Sequence, residues 1–381
     1  MSEEIQLDSR IKSAGSLAKK SFAYLKKLQT LEKPLVKTGQ DFIDCHIGGL
    51  LPSDVVIYSA NSGVGKTKLL YDTLDLILDK KVNDNSDNFT VLDFSLEMKY
   101  LNKILRDINK QTNKKKKDIL TKEFTEEEKE VVRRYYERLQ DDRVFVCEES
   151  ITTKDFYNMT KSFCEKNKEK DAIIITYDHV LLTKKEDKLE DPLEAHTAYI
   201  NQLRKEFDNV YFFLLTQFNR TSFTNIKDKS NDMFPRASMI YGSSHFEFLA
   251  SYIIGIMNPF KLGVNEFLKV NPERYDWLEE YHTEPDSKSK ISFDTAGNMF
   301  YFVLKARESD RQFMDLFIRP MDLNQEELDK IKQEKEEKDT NFPTAPKFNQ
   351  PENPYKDLPQ ADTTTAFDAP NFNDESSEPP F

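Results

Sequence analysis

The residues best suited to chemistry form a glycine-containing loop between an apolar run at residues 55–58 and a helical pattern that begins at Lys66. Glycines let backbone N–H groups turn toward phosphate oxygens, and the positive end of the following helix dipole points to the same place. A lysine here can reach terminal phosphates, and the next hydroxyl can bind Mg²⁺. The pattern G-x-x-x-x-G-K-[ST] therefore predicts a nucleoside triphosphate site, although alanine replaces its first glycine. The loop reads Ala60, Asn61, Ser62, Gly63, Val64, Gly65, Lys66, Thr67.

Three polar side chains follow apolar runs that read as buried strands. They are Asp178 after residues 172–177, Glu97 after residues 91–94, and Gln217 after residues 210–215. The carboxyl ends of parallel strands meet at the edge where α/β proteins bind ligands. There Asp178 can hold Mg²⁺ through water, Glu97 can polarise a water molecule, and Gln217 can hydrogen-bond a terminal phosphate. Taken singly, each also fits an ordinary loop cap or a first-turn residue of a helix.

Apolar strands alternate with helical patterns from about residue 35 to residue 319. This alternation predicts an α/β fold with a doubly wound, mostly parallel sheet covered by helices on both faces. Residues 258–298 contain three prolines and read as an insertion or extended loop. The expected strands are residues 55–58, 91–94, 144–147, 172–176, 210–215, 252–256 and 299–304, and the expected helices include residues 66–79, 126–139, 153–166 and 192–206.

The two ends of the chain differ from this central region. Residues 8–30 place apolar side chains three and four positions apart with lysines between them, which predicts an amphipathic helix. Residues 325–338 read as a short charged helix, and the proline-rich, acidic remainder is expected to be disordered. We therefore divide the chain into a linker helix (1–34), a nucleotide-binding domain (35–322) and a tail (323–381). The acidic Pro-Phe terminus resembles the partner-binding tip of bacterial single-stranded-DNA-binding proteins, and it equally fits a solubilising tail.

Composition excludes several classes of protein. The net charge of −12 over 381 residues argues against a uniformly basic nucleic-acid coat, but it leaves room for a local basic channel. No apolar run approaches the length of a membrane span, and the polar start does not read as a signal peptide. Cys45, Cys147 and Cys164 are scattered without metal-ligand spacing, as in a reduced protein. We expect a cytoplasmic protein without membrane contact.

Together the motifs resemble those of one family, the motor domain of DnaB-type replicative helicases within the RecA-like P-loop ATPases. In that family alanine is common at the position of Ala60. Residues 35–39 and 48–54 resemble the segments that precede the phosphate-binding loop in that family. Residues 178–182 align with the family's Asp-Tyr-Leu-Gln-Leu motif. The resemblance covers roughly residues 35–319. Its most specific segments are Ser95-Leu96-Glu97-Met98 for the family's SLEM, Thr216-Gln217-Phe218-Asn219-Arg220 for Ser-Gln-Leu-Asn-Arg, and Lys305-Ala306-Arg307 for Lys-x-Arg.

The resemblance implies roles for these residues. Glu97 would be the catalytic base and Gln217 the phosphate sensor, while Lys305 and Arg307 would reach the neighbouring subunit's site. Residues 238–247 align with a segment of the family that contacts DNA phosphates. Two of its side chains differ here, because Tyr241 replaces the family's arginine and Met239 replaces its aspartate. Backbone contacts are therefore expected there, with basic loop residues neutralising further phosphates. The expected DNA-binding residues are Arg220, Lys227, Lys229, Arg236, Gly242, Ser243 and Ser244.

The resemblance also implies an assembly and a function. We expect a homo-hexameric ring that hydrolyses ATP with Mg²⁺, translocates on single-stranded DNA and unwinds duplex at a replication fork. The amphipathic helix would pack on the adjacent subunit, and the tail could bind a primase, a loader or another replisome protein. Since only the amphipathic helix precedes the motor domain here, we expect a form without the family's helical N-terminal domain. Such a short form looks like a bacteriophage replication protein acting in the host cytoplasm.

Two other functions remain open from the sequence. One is a RecA-like recombination ATPase that coats single strands as a filament. The other is a non-catalytic loader or scaffold that uses ATP as an assembly switch. The SLEM and Lys-x-Arg segments favour the helicase over the recombination ATPase, and the complete set of catalytic residues favours it over the loader.

Overall fold

The computed structural model describes residues 13–29, 35–139, 142–184, 191–219, 235–262, 266–270, 291–307 and 315–321. All of these belong to the first of two units into which the chain divides, Met1–Lys335. The expected charged helix at residues 325–338 and the tail after it lie outside the described residues. So do Arg220, Lys227 and Lys229, three of the expected DNA-binding residues.

An eight-stranded sheet lies at the centre of the fold. Its strand order is β10-β9-β6-β1-β5-β4-β2-β3; neighbours from β6 to β3 pair in parallel, and β9 and β10 pair antiparallel at one edge. The expected doubly wound, mostly parallel α/β sheet is confirmed, with all seven expected strands in it. The strands are β1 (Val55–Ala60), β2 (Phe89–Ser95), β3 (Val144–Cys147), β4 (Ala172–Asp178), β5 (Val210–Thr216), β6 (Tyr252–Met257), β7 (Glu266–Val270), β8 (Ile291–Asp294), β9 (Asn298–Ala306) and β10 (Asp315–Pro320).

The four expected helices are present, two of them with strong start signals. A capping box between Thr152 and Asp155 begins α7, and the Asp191 side chain caps α8 ahead of Pro192. The prediction did not include α2, α4, α5 or α9. The described helices are α1 (Ala14–Gln29), α2 (Asp41–Ile47), α3 (Lys66–Ile77), α4 (Tyr100–Thr112), α5 (Lys116–Thr121), α6 (Glu126–Leu139), α7 (Thr153–Lys166), α8 (Pro192–Glu206) and α9 (Ser243–Leu249).

The segment at residues 258–298 differs from the expectation. It is not irregular throughout, because β7 and β8 pair antiparallel as a separate two-stranded sheet, with Glu266 opposite Asp294. These strands have five and four residues. Pairing between short strands so far apart in sequence leaves little local signal. The prolines are therefore the clearest signal in this part of the sequence, and they indicate a loop.

Both faces of the sheet are buried, which gives the site a rigid support. All six residues of β1 are buried and point alternately to two apolar clusters. Val56 shares a cluster with Leu70 of α3, and Ile57 shares the other with Leu203 of α8. Parallel strands covered on both faces read as continuous apolar runs, which is why the sequence revealed them.

The amphipathic helix is present as α1, but it buries none of its residues. Leu17, Phe22 and Leu25 are exposed large apolar side chains on it. An ion pair of 2.6 Å between the exposed side chains of Lys20 and Asp208 ties the helix to the loop before β5, and such pairs contribute little. No helix among the described residues is long and apolar enough to cross a membrane.

Candidate functional site

The glycine-containing loop joins β1 to α3 in an unusual backbone conformation. Gly63 and Gly65 have φ angles of 75° and 111°, in the left-handed region. A Cβ atom added at either residue would meet nothing within 4 Å, so the backbone conformation rather than space requires glycine. Successive residues in such conformations turn their N–H groups into a concave, anion-binding surface.

The ammonium group of Lys66 lies within this loop. The residue is only 6% exposed, and its Nζ donates a hydrogen bond of 3.3 Å to the carbonyl oxygen of Ala60. Burial lowers the pKa of Lys66, while the nearby negative charges of Glu97 and Asp178 raise it. A buried cation held by one carbonyl is well placed to exchange that contact for the oxygens of a phosphate.

Thr67 and Asp178 meet at the same edge of the sheet. The Thr67 hydroxyl donates to Oδ2 of Asp178 at 2.9 Å. Asp178 is fully buried, and burial raises its pKa to about 6; the Thr67 hydrogen bond opposes this rise, and the charges of Glu97 and Asp93 add to it. The Oδ1 atom of Asp178 has no hydrogen-bond partner among the described residues. One carboxylate oxygen is therefore left available to an external ligand.

Glu97 is held beside Asp178 by backbone hydrogen bonds. Strands β2 and β4 are parallel neighbours that place Ser95 opposite Asp178. Just beyond β2, the N–H groups of Leu96 and Glu97 donate to the carbonyl oxygen of Asp178 at 2.7 and 3.1 Å. The Glu97 side chain is exposed, so it can contact water at the mouth of the site.

Gln217 follows β5, which lies between β1 and β4. The register pairs Ser59 with Thr216, so Gln217 is next to Ala60 at the carboxyl edge. Its carbonyl oxygen accepts a hydrogen bond of 2.9 Å from the N–H of Tyr241. The segment expected to contact DNA is therefore attached directly to the expected phosphate sensor.

The segment after Tyr241 begins helix α9. Gly242 has a φ of 73°, and a Cβ atom there would lie 2.4 Å from Cδ1 of Leu193. Only glycine fits this position without a shift. Ser243 and Ser244 form the first residues of α9, and Arg236 is exposed just before the segment.

Lys305 and Arg307 lie at the opposite edge of the sheet. Lys305 pairs with Ile253 near the start of β6, whereas the phosphate-binding loop follows the end of β1. Ile57 of β1 is level with Ile253, so three residues of strand separate Lys305 from Ala60 along the strand direction, or roughly 10 Å. The Lys305 ammonium donates to the carbonyl oxygen of Glu247, and Arg307 Nη2 donates to that of Phe248 at 3.1 Å. The structure thus places five of the expected site residues together at the carboxyl ends of the strands and places Lys305 and Arg307 apart from them. The five are Lys66, Thr67, Glu97, Asp178 and Gln217.

Sequence reasoning missed Lys261 beside the phosphate-binding loop. Its Nζ donates to the carbonyl oxygen of Gly63 at 3.2 Å, from the turn after β6. No motif points to this lysine. Only the parallel pairing of β6 with β1 brings it there.

The family model of the DnaB-like helicase C-terminal domain matches residues 36–261, more than half of the chain. The chain belongs to this family. Its resemblance to DnaB-type replicative helicases is thereby confirmed, and the chain is an ATP-hydrolysing helicase of the replicative type with a nucleotide-binding, RecA-like domain. The match includes the phosphate-binding loop, the SLEM segment and Asp178, and it ends before Lys305 and Arg307.

Solved structures share the fold of this DnaB-like domain. One is a solved ATPase domain, at 16% identity and a TM-score of 0.57, covering 82% of this chain and 100% of that chain. Another is a DnaB-like replicative helicase described with its interactions with primase, at 17% identity and a TM-score of 0.53, covering 82% of this chain and 65% of that chain. A search of curated proteins finds no match.

Proposed function

We propose that this helicase works as a homo-hexameric ring with its ATP sites between subunits, translocating on single-stranded DNA and unwinding duplex at a replication fork. One observation carries the proposal. The residues suited to binding a triphosphate lie at the carboxyl ends of the parallel strands, and Lys305 and Arg307 lie toward the amino ends. Within one chain the two sets lie apart, and a head-to-tail ring would bring them together.

Within one subunit, each residue at the carboxyl edge has a distinct role. The backbone from Ala60 to Thr67 surrounds the phosphates, and Lys66 neutralises the terminal ones. Glu97 polarises the water molecule that attacks the terminal phosphorus. Gln217 hydrogen-bonds the terminal phosphate and shifts when it leaves. Because Gln217 also holds Tyr241 through its carbonyl, such a shift reaches the segment that contacts DNA.

The residues present fit a Mg²⁺ ion. Magnesium favours oxygen ligands and usually binds through one or two protein groups together with phosphates and water. The Thr67 hydroxyl and the unpartnered Oδ1 of buried Asp178 offer such groups. When bound, Mg²⁺ would offset negative charge on the triphosphate. The described residues contain no cluster of three His, Cys, Asp or Glu side chains that could hold a metal by itself.

The neighbouring subunit would complete the site with Lys305 and Arg307. An arginine supplied in trans typically raises phosphoryl-transfer rates by ~10³–10⁵. Two clefts of about 430 and 260 Å³ lie beside α3 and α4, and neither is lined by the phosphate-binding loop.

The DNA would bind at loops that follow the carboxyl edge. Backbone groups of Gly242, Ser243 and Ser244 would contact phosphates, helped by Arg236 and by Arg220, Lys227 and Lys229 outside the described residues. Such contacts grip the backbone without reading bases. The net charge of −12 requires these cations to act locally.

The exposed apolar side chains of α1 support contact between subunits. Leu17, Phe22 and Leu25 are exposed, and packing on an adjacent subunit would bury them. The tail at residues 323–381 would recruit a primase, a loader or another replisome protein. One structural neighbour is described with primase, which supports that class of partner. We place the activity in the cytoplasm, that of a bacterial host if a phage encodes the chain.

Mixing two inactive variants tests the shared site. Arg307→Ala should bind ATP without turning it over, and Lys66→Ala should lose its own site. In mixed rings, the intact loop of the first variant can meet the intact arginine of the second, so part of the ATPase activity should return. Arg133→Ala, which removes an exposed arginine on α6, serves as a control and should behave as wild type. Absence of rescue in assembled mixtures would contradict a trans arginine, and open helical filaments in electron micrographs would favour a recombination ATPase.

A further inference from the structure

A buried carboxylate in the middle of β2 has no role in the site described so far. Asp93 is 1% exposed and lines the inner wall of the cleft of about 260 Å³ beside α3 and α4. Burying a carboxylate is costly unless hydrogen bonds and charges compensate for the lost water. The contacts that compensate here lead directly to the nucleotide site.

Both oxygens of Asp93 accept hydrogen bonds from hydroxyl groups. Thr176 Oγ1 donates to Oδ1 at 2.5 Å, and Tyr71 Oη donates to Oδ2 at 2.9 Å. Thr176 lies on β4, two residues before Asp178. Tyr71 lies on α3, one helical turn after Thr67. Asp93 thus joins its own strand to the two elements that carry the Thr67–Asp178 pair.

The same network extends to the turn that carries Glu97. Tyr71 Oη lies 3.4 Å from Oγ of Ser95, the last residue of β2. Ser95 Oγ in turn donates to the carbonyl oxygen of Met98 at 2.7 Å. This hydrogen bond closes the turn that spans Glu97.

Hydrogen bonds and one cation offset part of the cost of burying Asp93. Burial raises the pKa of Asp93 above its usual value; the bonds from Thr176 and Tyr71 and the charge of Lys103 oppose this rise, and the charge of Glu148 adds to it. Lys103 Nζ lies 3.9 Å from the centre of the Tyr71 ring, a cation–π contact. Burial and the Asp93 charge raise the pKa of Tyr71, which keeps its hydroxyl a donor.

We propose that Asp93 and Tyr71 form a buried clamp that fixes the Glu97 turn relative to Asp178 and the phosphate-binding loop. They are positioning residues for ATP hydrolysis and touch no substrate. The inference rests on the roles proposed for Glu97 and Asp178. A displacement of about 1 Å in a catalytic group can reduce a rate ~10²-fold, so a rigid connection among three elements has kinetic value.

The test compares substitutions that keep or remove the clamp. Tyr71→Phe removes one hydroxyl and keeps the ring. Asp93→Leu removes both acceptors at similar volume, and Asp93→Asn keeps two hydrogen bonds because each hydroxyl partner can also accept. We expect kcat for ATP hydrolysis, measured without DNA, to fall about 10- to 100-fold in the first two variants. The Kd for a fluorescent ATP analogue should stay within about twofold, and Asp93→Asn should recover most of kcat.

Tyr58→Phe provides the matched control. Tyr58 is a buried tyrosine of β1. Its hydroxyl lies 3.2 Å from that of Thr73 on α3, the helix that also carries Tyr71, and it does not contact the Glu97 turn. Unfolding temperatures of all variants are measured alongside the kinetics. Tyr58→Phe should lose stability as Tyr71→Phe does and retain kcat. Equal losses of kcat in these two variants, or wild-type kcat in Asp93→Leu, would overturn the clamp. Wild-type protein that hydrolyses ATP but ignores DNA contradicts the proposed function alone.

Discussion

The Thr67 hydroxyl donates a hydrogen bond of 2.9 Å to Oδ2 of Asp178, joining the first turn of α3 to the end of β4. The two residues are 111 positions apart in sequence. Their contact leaves Oδ1 of the same carboxylate buried and unpartnered among the described residues. The oxygen atoms suited to a cation are thus already adjacent before any ligand binds.

Lys66→Ala should abolish ATP hydrolysis and strand displacement, because it removes the buried ammonium of the phosphate-binding loop. Lys68→Ala is a matched control on the same helix. It removes only a half-exposed ion pair, in which Lys68 Nζ lies 2.5 Å from Oδ2 of Asp72. Assays of ATP turnover and of forked-DNA unwinding check both variants. Unwinding by Lys66→Ala would refute the assignment of the site.

Glu97→Gln should bind ATP normally but hydrolyse it about 10²–10⁴-fold more slowly, because the amide keeps the shape of the side chain and cannot accept a proton from water. Single-turnover hydrolysis and nucleotide affinity separate the two effects. Glu149→Gln changes an exposed acid just after β3, the strand that pairs with β2, and should turn over ATP at the wild-type rate. Normal hydrolysis by Glu97→Gln would contradict the role of Glu97 as the catalytic base.

Gly242→Ala should weaken binding to single-stranded DNA and lower the unfolding temperature. The added Cβ would lie 2.4 Å from Leu193 Cδ1 at a φ of 73°. Such overpacking costs about 1–3 kcal/mol. Gly15→Ala in α1 meets nothing within 4 Å and should leave DNA binding unchanged. Fluorescence anisotropy measures the DNA affinity of both variants, and thermal unfolding measures their stability. Wild-type affinity and unfolding temperature in Gly242→Ala would contradict the need for glycine at this position.

The stability of the ligand-free protein should depend on pH through Asp178. Burial raises its pKa from 3.8 to about 6, so between these values the folded chain keeps a proton that the unfolded chain releases. The free energy of unfolding should therefore fall as pH rises through this window. Asp178→Asn should remove this component. Urea unfolding in EDTA without nucleotide measures it, and an unchanged slope in the variant would rule out Asp178 as its source.

Local patterns in the sequence identified much of the fold and the main part of the site. The strands are apolar on both faces, and α7 and α8 have side-chain caps, so each is visible in a short window of residues. The helices that were not predicted lack such signals. Helices α2 and α9 have seven residues each, and α4 has a single buried residue. Short or largely exposed helices depend on tertiary contacts more than on their own periodicity.

By itself, the sequence predicted a phosphate-binding loop at Ala60–Thr67, and it determined that Glu97, Asp178 and Gln217 lie at or just beyond the ends of strands. Only the tertiary structure decided the strand order. That order placed Lys261 beside Gly63, buried Asp93 between Thr176 and Tyr71, and put Lys305 and Arg307 at the far edge of the sheet. The physical reason is that backbone conformation and burial leave periodic marks within a few residues. Pairing between distant strands depends on which surfaces meet when the whole core forms.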